Sequence, residues 1–234
     1  MKRFLRDFLT LSTRLSVNKM KKLVLFDFDG TIVDNSEGIY NCIGYALEKK
    51  GLPALPTETK RKFIGPSLFD SFMWHCTDKK EEAEELVALY RERYRPVGTT
   101  EVRVYDGIRR LLEELKNKGI ICAVCSSKPY EFVRKIAKEQ GLEQYFDGFF
   151  CPGFGSHISD KSGLALAAMK EFSAEKCDTV FVGDTRFDVA AARDAGIECI
   201  GVLYGFSEEG ELDTADYKAA DATQIFSFIT GEKQ

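Results

Sequence analysis

Two aspartates separated by a single residue, Asp27 and Asp29, are the first residues in this chain whose types and spacing could do chemistry. They come directly after the apolar run at 23–26 and directly before Gly30 and Thr31. Acidic residues are poor strand formers, so two of them at the carboxyl end of a predicted strand require a reason. Paired carboxylates can bind a hard cation, and one of them can attack an electrophile. A solvated acidic turn is the alternative, because Asp-Gly is a common turn dipeptide.

Polar side chains also follow two later strands of the predicted sheet. They are Ser126, Ser127 and Lys128 after a strand at 120–125, and Asp184 and Asp188 after a strand at 179–182. Because parallel strands present their carboxyl ends at one edge of a sheet, we expect these groups to converge. A carboxylate cluster without His or Cys favours Mg²⁺ over Zn²⁺, and Mg²⁺ usually leaves coordination for a phosphate. Serine hydroxyls, backbone amides and a lysine would stabilise a transferring phosphoryl group.

The elements that must position these groups alternate between strand and helix, apart from one helical stretch. Residues 36–100 show only helical patterns, with Asp78 as the expected N-cap of the last helix, at 78–95. An all-helical stretch inside an alternating chain indicates an inserted module. The rest predicts an α/β fold, a doubly wound parallel sheet with right-handed crossovers. We expect an N-terminal extension at 1–19, a core at 20–35 and 101–234, and an inserted all-helical cap domain at 36–100.

Composition excludes several classes of function. The chain has 33 basic and 37 acidic residues, so there is no basic excess to neutralise the phosphates of a nucleic acid. The sequence contains no run of about 18 apolar residues, so it predicts no membrane span. The seven cysteines are scattered along the sequence. This pattern predicts reduced thiols and a cytoplasmic protein. Cys122 and Cys125 form a CxxC inside a predicted strand, where their side chains would point to opposite faces. His157 is predicted to be a loop residue.

The motifs together resemble the haloacid dehalogenase superfamily of phosphohydrolases. The similarity lies in the segment 27–31, in Ser126 and in the segment 183–188. The order and spacing of these motifs match those of the family, and together they cover nearly the whole chain from about residue 20. A helical insertion directly after the first motif resembles the phosphoglycolate phosphatase-like subfamily. This resemblance implies a Rossmann-like core and a cap that closes over the site and excludes water.

The resemblance also implies a role for each motif residue. Asp27 would be the nucleophile and form an aspartyl-phosphate, and Asp29 would be the general acid and base. Mg²⁺ would lie between Asp27, the backbone carbonyl of Asp29 and Asp184, with Asp188 supporting the metal site through water or from outside the set of direct ligands. Ser126 and the following amide would bind the transferring phosphoryl group.

A lysine is also required, and the chain offers two. Lys161 precedes a helix, at the place where the family has its lysine, and is expected to screen the charge between nucleophile and phosphate. Lys128 and Ser127 are expected to contact the substrate. The chain departs from its relatives at 153–158, where they often have a further basic residue or a Lys-Pro run.

The segment 63–68 resembles the subfamily's substrate loop, so Gly65 and Pro66 are expected to contact the substrate. A helix–helix turn capped by Ser67 is the compatible alternative. Arg61 could reach an anionic substrate or lie on a solvated helix face.

The function expected from the resemblance is a Mg²⁺-dependent phosphatase for a small phosphorylated metabolite, with phosphoglycolate as the namesake substrate. The alternative is a 5'-nucleotidase acting on nucleoside monophosphates, because segments 63–66 and 203–205 resemble nucleotidase-like members. A phosphomutase and a non-catalytic phosphate-binding protein are less favoured. A dehalogenase is disfavoured, because Asp29 supplies an acid and base that phosphate chemistry needs and dehalogenation does not. The only expected partner is a small phosphate ester, with no nucleic acid polymer and no membrane, and the chain is expected to be a monomer or homodimer.

Overall fold

The computed structural model describes residues 20–153 and 160–232. The predictions for residues 1–19 and for His157 lie outside these ranges. The core is a six-stranded sheet in the order β5-β4-β1-β6-β7-β8, and every neighbouring pair is parallel. Its strands are β1 (Leu23–Phe26), β4 (Ile121–Cys125), β5 (Gly148–Phe150), β6 (Thr179–Gly183), β7 (Glu198–Val202) and β8 (Tyr217–Ala219).

Helices cover both faces of this sheet. They are α5 (Ile108–Asn117), α6 (Tyr130–Glu139), α7 (Lys161–Glu171), α8 (Arg186–Ala195) and α9 (Ala222–Thr230). The side chains of β1 alternate between two buried clusters, with Val24 and Phe26 packed against α5, α6 and α9 and Leu25 packed against α7 and α8. Strands that are buried on both faces read as continuous apolar runs. The predicted doubly wound parallel sheet is confirmed.

The two cysteines of the CxxC follow the same alternation. Cys122 lies in the cluster on one face of the sheet and Cys125 in the cluster on the other, and both are free thiols. The prediction that they point to opposite faces is confirmed. Cys122 is a packed core residue, and its burial raises the pKa of the thiol to about 12.

The inserted segment, called the cap below, is helical wherever it has regular structure. It contains α1 (Ser36–Lys49), α2 (Thr57–Arg61), α3 (Leu68–His75), α4 (Lys80–Arg93) and a π-helical turn at Tyr94–Gly98. Its apolar side chains form a third cluster, built mainly from α1, α3 and α4 and joined by Phe132 of the core helix α6. No described helix of the protein is both long enough and apolar enough to cross a membrane.

The two connections between cap and core pair with each other. β2 (Val33–Asp34) enters the cap and β3 (Arg103–Val104) leaves it, and the two strands form a small antiparallel sheet. Neither strand has enough residues to give a periodic signal, so sequence patterns did not predict this pair. β8 was also missed, since its three residues include the exposed Lys218 at the sheet edge.

The start of α4 differs from the prediction. Asp78 does not cap the helix, so that expectation is wrong. Lys79 is the N-cap residue, and the Lys79 amide donates a hydrogen bond to Thr77 Oγ1 at 3.2 Å. The Thr77 turn therefore moves the helix start one residue along the chain.

The contact between α1 and the π-helical turn generates a stability prediction. A Cβ at Gly38 would lie 2.4 Å from the Gly98 carbonyl oxygen, whereas a Cβ at Gly44, in the same helix, has only Lys60 Nζ nearby at 3.7 Å. We expect Gly38→Ala to lower the free energy of unfolding by about 1–3 kcal/mol through overpacking. The control Gly44→Ala should raise it by up to about 1 kcal/mol, because Ala favours helix over Gly. Urea titration measures both, and equal effects would contradict the packing described.

Candidate active site

The acidic turn after β1 is shaped by a close approach to Asp184. Gly30 has a φ of +82°, and a Cβ at this position would lie 2.1 Å from Asp184 Oδ2. Only glycine accepts both the left-handed backbone and this contact. Thr31 Oγ1 donates a hydrogen bond to Asp184 Oδ1 at 3.1 Å, and the Phe206 amide donates to Asp184 Oδ2 at 2.8 Å. The turn and the 203–206 loop therefore fix Asp184 from both sides.

Three carboxylates meet where β1 and β6 end. Asp27, Asp184 and Asp188 are buried, and one ligand atom from each lies within 4.8 Å of the others. Burial raises the pKa of Asp27 to about 6, with a further contribution from Asp188, although Lys161 opposes the shift. Burial raises the pKa of Asp184 as well, and so do the charges of Asp188 and Asp27. Like charges in a water-poor site repel each other, so this cluster favours a positive ligand.

The composition of the cluster fits Mg²⁺. All three donors are carboxylates, and no described His or Cys belongs to the group. Asp27 Oδ1 is buried and has no hydrogen-bond partner among the described residues. A buried carboxylate oxygen without a partner is destabilising unless a cation or a donor reaches it. The residues therefore match what a hard divalent cation requires.

Lys161 lies beside the nucleophile candidate. It is the first residue of α7, and its Nζ lies 2.8 Å from Asp27 Oδ2 and 2.6 Å from Asp188 Oδ1. Asp160 caps the helix by accepting a hydrogen bond from the Gly163 amide. The start of α7 thus holds a buried ammonium group between two carboxylates.

Asp188 stabilises this arrangement from α8. Its Oδ2 accepts hydrogen bonds from the amides of Asp184 and Thr185 and from the Thr185 hydroxyl, which closes a capping box. Its Oδ1 accepts from Lys161. Each oxygen of this carboxylate is therefore already bound within the protein. Sequence reasoning did not identify Thr185, although a Thr followed three residues later by an acidic residue is a known helix-start signal.

Asp29 has a separate set of partners. Lys128 Nζ donates to Asp29 Oδ2 at 2.9 Å, and Asn35 Nδ2 donates to Asp29 Oδ1 at 2.7 Å. The ammonium group of Lys128 also lies 4.8 Å from the centre of the Tyr94 ring. The two carboxylates of the acidic turn therefore face two different lysines.

Asn35 is of a residue type that often caps helices. It does occupy the N-cap position of α1, but its side chain makes no capping hydrogen bond there. Asp34 takes that role, because its Oδ1 accepts from the Ser36 amide and hydroxyl. The side chain of Asn35 is thereby available for Asp29. No local sequence signal distinguishes these two uses of an asparagine.

Ser126 directly follows β4, beside these groups. It is buried, its amide donates to the Phe150 carbonyl at 3.1 Å, and its Oγ accepts from the Lys128 amide at 3.3 Å. The sheet therefore holds the backbone of this serine, and the following residues turn away from the strand.

A cavity of about 380 Å³ lies between the strand ends and the cap. Core residues that line it include Asp27, Asp29, Ser126, Ser127, Lys128 and Lys161. Cap residues that line it include Phe63, Gly65, Pro66, Leu68, Tyr90 and Arg91. Every residue of the 63–68 segment borders this space, and Ser67 also caps α3 by accepting from the Asp70 amide. The position of this segment is compatible with both interpretations, as a substrate loop and as a helix–helix turn.

Arg61 lies elsewhere. It does not line the cavity, and its guanidinium donates to the carbonyl oxygens of Gly205, Phe206 and Ser207 at 3.2–3.3 Å. The residue therefore links the cap to the core loop that holds Asp184. Its Nε and Nη2 donors are bound to backbone acceptors, so a contact between Arg61 and the substrate remains a prediction without support from this position.

Comparison with known proteins agrees with this geometry. The chain is 37% identical over 191 residues to a 5'-nucleotidase of Pseudomonas aeruginosa, which covers 81% of this chain and 86% of the relative. It is 30% identical over 196 residues to phosphoglycolate phosphatase 1 of the same organism, covering 81% and 72% of the two chains. The crystal structure of a predicted phosphatase from Clostridium acetobutylicum superposes with a TM-score of 0.84 at 32% identity, covering 90% of this chain and 99% of that one.

These relatives confirm the expectation that the protein is an enzyme of the phosphatase type. The family model for haloacid dehalogenase-like hydrolases matches residues 24–202, which span both motif-bearing halves of the core and the whole cap. The chain belongs to the haloacid dehalogenase-like hydrolase family.

Proposed function

We propose that this protein is a Mg²⁺-dependent phosphatase that hydrolyses a small phosphate ester through an aspartyl-phosphate on Asp27. The surroundings of Asp27 carry the proposal. One of its oxygens is 2.8 Å from Lys161 Nζ, and the other is buried with no hydrogen-bond partner among the described residues, beside two further carboxylates. A carboxylate with a lysine on one side and an unsatisfied oxygen on the other is suited to nucleophilic attack next to a cation.

The reaction has two displacements. In the first, a carboxylate oxygen of Asp27 bonds to phosphorus while the bond to the leaving oxygen breaks, and Asp29 donates a proton to that oxygen. In the second, Asp29 takes a proton from water, the water oxygen bonds to phosphorus, and the bond between Asp27 and phosphorus breaks. The products are the alcohol and inorganic phosphate, and both aspartates return to their starting forms.

The remaining residues stabilise charge. Asp27, Asp184 and the backbone carbonyl of Asp29 would hold Mg²⁺, and Asp188 would support the site through water or through its hydrogen bond from the Asp184 amide. The ion would supply positive charge against the phosphoryl oxygens. Lys161 neutralises part of the charge that builds up between nucleophile and phosphate. The Ser126 hydroxyl and the amide of the following residue bind the phosphoryl group.

Lys128 acts on Asp29 in this account. Its ammonium group and the Asn35 amide each bind one oxygen of Asp29, so together they fix the orientation of the carboxylate. Lys128 also lines the cavity, so a contact with the bound ester is compatible with this role. We therefore assign it mainly to positioning of the acid and base.

A nucleoside monophosphate is the substrate class that the cavity favours over phosphoglycolate. A volume of about 380 Å³ lies within the range of roughly 300–1,000 Å³ that holds drug-sized ligands, and a short carboxylic acid would leave most of it empty. Apolar and aromatic residues of the cap and core form much of the lining. The similarity to the 5'-nucleotidase of Pseudomonas aeruginosa supports the same choice.

The nucleophile assignment generates the first catalytic prediction. Asp27→Asn should lower kcat for p-nitrophenyl phosphate by at least about a thousandfold, because the amide cannot form the phosphoenzyme. Circular dichroism should show an unchanged fold. The control Asp106→Asn makes the same change at an exposed core position and should retain full activity. Activity that survives in Asp27→Asn would exclude the mechanism.

Variants of the two lysines should depend differently on the leaving group of the ester. Lys128→Met should lower kcat/KM more for ribose 5-phosphate than for p-nitrophenyl phosphate, because nitrophenolate leaves without a proton from Asp29. Lys161→Met should lower kcat/KM for both esters by a similar factor, of about a hundredfold. Matching leaving-group profiles in the two variants would show that Lys128 and Lys161 do not have distinct roles.

The carboxylate cluster predicts a metal-dependent change in stability. Adding Mg²⁺ to the wild type should raise Tm by several degrees, since a ligand at 100 times its Kd contributes about 2.7 kcal/mol. Asp184→Asn, which removes one ligand, should lose most of that shift. Differential scanning fluorimetry at constant ionic strength measures both proteins, with NaCl as the control salt. An equal shift in the variant would place the cation elsewhere.

A further inference from the structure

Arg61 is the last residue of α2, and its guanidinium lies against the backbone of the core segment 205–207. Its Nε donates to the Phe206 carbonyl oxygen at 3.2 Å. Its Nη2 donates to the carbonyl oxygens of Gly205 and Ser207, both at 3.3 Å. None of the five residues of α2 is buried, so burial contributes little to holding this helix. One exposed cation and three consecutive carbonyl oxygens therefore form this contact between cap and core.

Phe206 contacts the cap with its side chain as well. Its partly buried ring packs against the apolar cluster of the cap. The guanidinium carbon of Arg61 lies 5.9 Å from the centre of the same ring, within the range of a cation–π interaction. Hydrogen bonds and ring contacts from the cap therefore act on the same core residue.

The 205–207 segment also lies directly against Asp184. The Phe206 amide donates to Asp184 Oδ2 at 2.8 Å. A Cβ at Gly205 would lie 2.3 Å from the Cβ of Asp184, so the backbone of this segment passes as close to the aspartate as a glycine allows. Phe206 thus accepts a hydrogen bond from the cap at its carbonyl and donates one to the carboxylate at its amide. A shift of this segment would release one oxygen of Asp184.

We propose that Arg61 is a positioning residue through which the cap fixes the orientation of Asp184 for Mg²⁺. This inference rests on the proposed function, because it takes Asp184 as a ligand of the ion. Arg61 does not belong to the described lining of the cavity, so it acts through the 205–207 segment. Groups that orient a metal ligand from outside the coordination shell commonly change metal affinity by about tenfold or more. A carboxylate that is already oriented loses less freedom when the ion binds.

The coupling must act in both directions. If the contact of Arg61 with the 205–207 segment favours binding of Mg²⁺, then bound Mg²⁺ favours that contact by the same factor. The ion should therefore stabilise α2, although no residue of this helix belongs to the carboxylate cluster.

The sign of the effect separates this role from a simple effect of charge. Arg61 carries a positive charge, and like charges repel, so loss of the charge alone should strengthen the binding of Mg²⁺. Loss of the hydrogen bonds to the 205–207 segment should weaken it. Lys62, the adjacent exposed residue, provides the matched control, because Lys62→Met removes the same charge and leaves the Arg61 contact intact.

The test is a titration with MgCl₂ followed by Tm at constant ionic strength, which gives the Kd of the ion without any ester present. Arg61→Met should raise this Kd by about tenfold. Arg61→Lys keeps the charge but lacks the planar fork that reaches three carbonyl oxygens, so it should raise the Kd as well, by a smaller factor. Lys62→Met should leave the Kd unchanged or lower it.

Hydrogen exchange measured by mass spectrometry gives a second readout. Without Mg²⁺, Arg61→Met should speed exchange in the segment 203–207 by about fivefold, whereas the buried strand at 23–26 should match the wild type. Saturating Mg²⁺ should slow exchange at 57–61 in the wild type and should have no such effect in Arg61→Met.

Hydrolysis of p-nitrophenyl phosphate distinguishes positioning from a contact with the substrate. Raising the concentration of Mg²⁺ should restore most of the activity that Arg61→Met loses at low Mg²⁺. A KM for the ester that stays raised at saturating Mg²⁺, with an unchanged Kd for the ion, would overturn the inference in favour of a substrate contact.

Two further results would overturn the inference while leaving the proposed function intact. The first is a wild type that binds Mg²⁺ and hydrolyses the ester while both Arg61 variants have its Kd for the ion. The second is an equal rise in Kd in Lys62→Met, which would indicate an effect of charge or of α2 as a whole. A wild type that neither binds Mg²⁺ nor hydrolyses the ester would instead overturn the proposed function, and the inference with it.

Discussion

The structure depends on holding three buried carboxylates and one ammonium group together at one edge of a sheet. Asp27, Asp184 and Asp188 repel each other, and burial strengthens that repulsion. Lys161 compensates part of it, and the Thr31 hydroxyl and the Phe206 amide bind the oxygens of Asp184. The fold thus carries electrostatic repulsion at this point, and a divalent cation would relieve it.

The two aspartates of the acidic turn contact different residues, so they can have different roles in the site. Asp27 faces Lys161 and the carboxylate cluster, whereas Asp29 faces Lys128 and Asn35. The cap takes part in this second group through Tyr94, whose ring lies under the Lys128 ammonium. Arg61 joins the cap to the loop that holds Asp184. The cap therefore contacts groups that bind Asp29 and Asp184, and it also lines the cavity.

Much of this arrangement could be predicted from the sequence, because it follows from strand ends. Buried apolar runs locate β1, β4 and β6, and parallel pairing brings their carboxyl ends to one edge, so Asp27, Ser126 and Asp184 had to converge. What the sequence could not show are contacts without a local pattern. The Asp29–Lys128 pair spans 99 positions, and the choice of Asn35 for Asp29 instead of a helix cap depends on tertiary structure. The hydrogen bonds of Arg61 could not be predicted for the same reason, since its acceptors lie in a loop more than 140 positions away.

The most direct test of the account is the stereochemical course of the reaction at phosphorus. A substrate with an isotopically chiral phosphate would be hydrolysed in labelled water, and the configuration of the inorganic phosphate determined by NMR. Attack by Asp27 followed by attack of water comprises two in-line displacements, so this mechanism predicts net retention of configuration. Net inversion would show that water attacks the ester directly, and would contradict the nucleophilic role of Asp27.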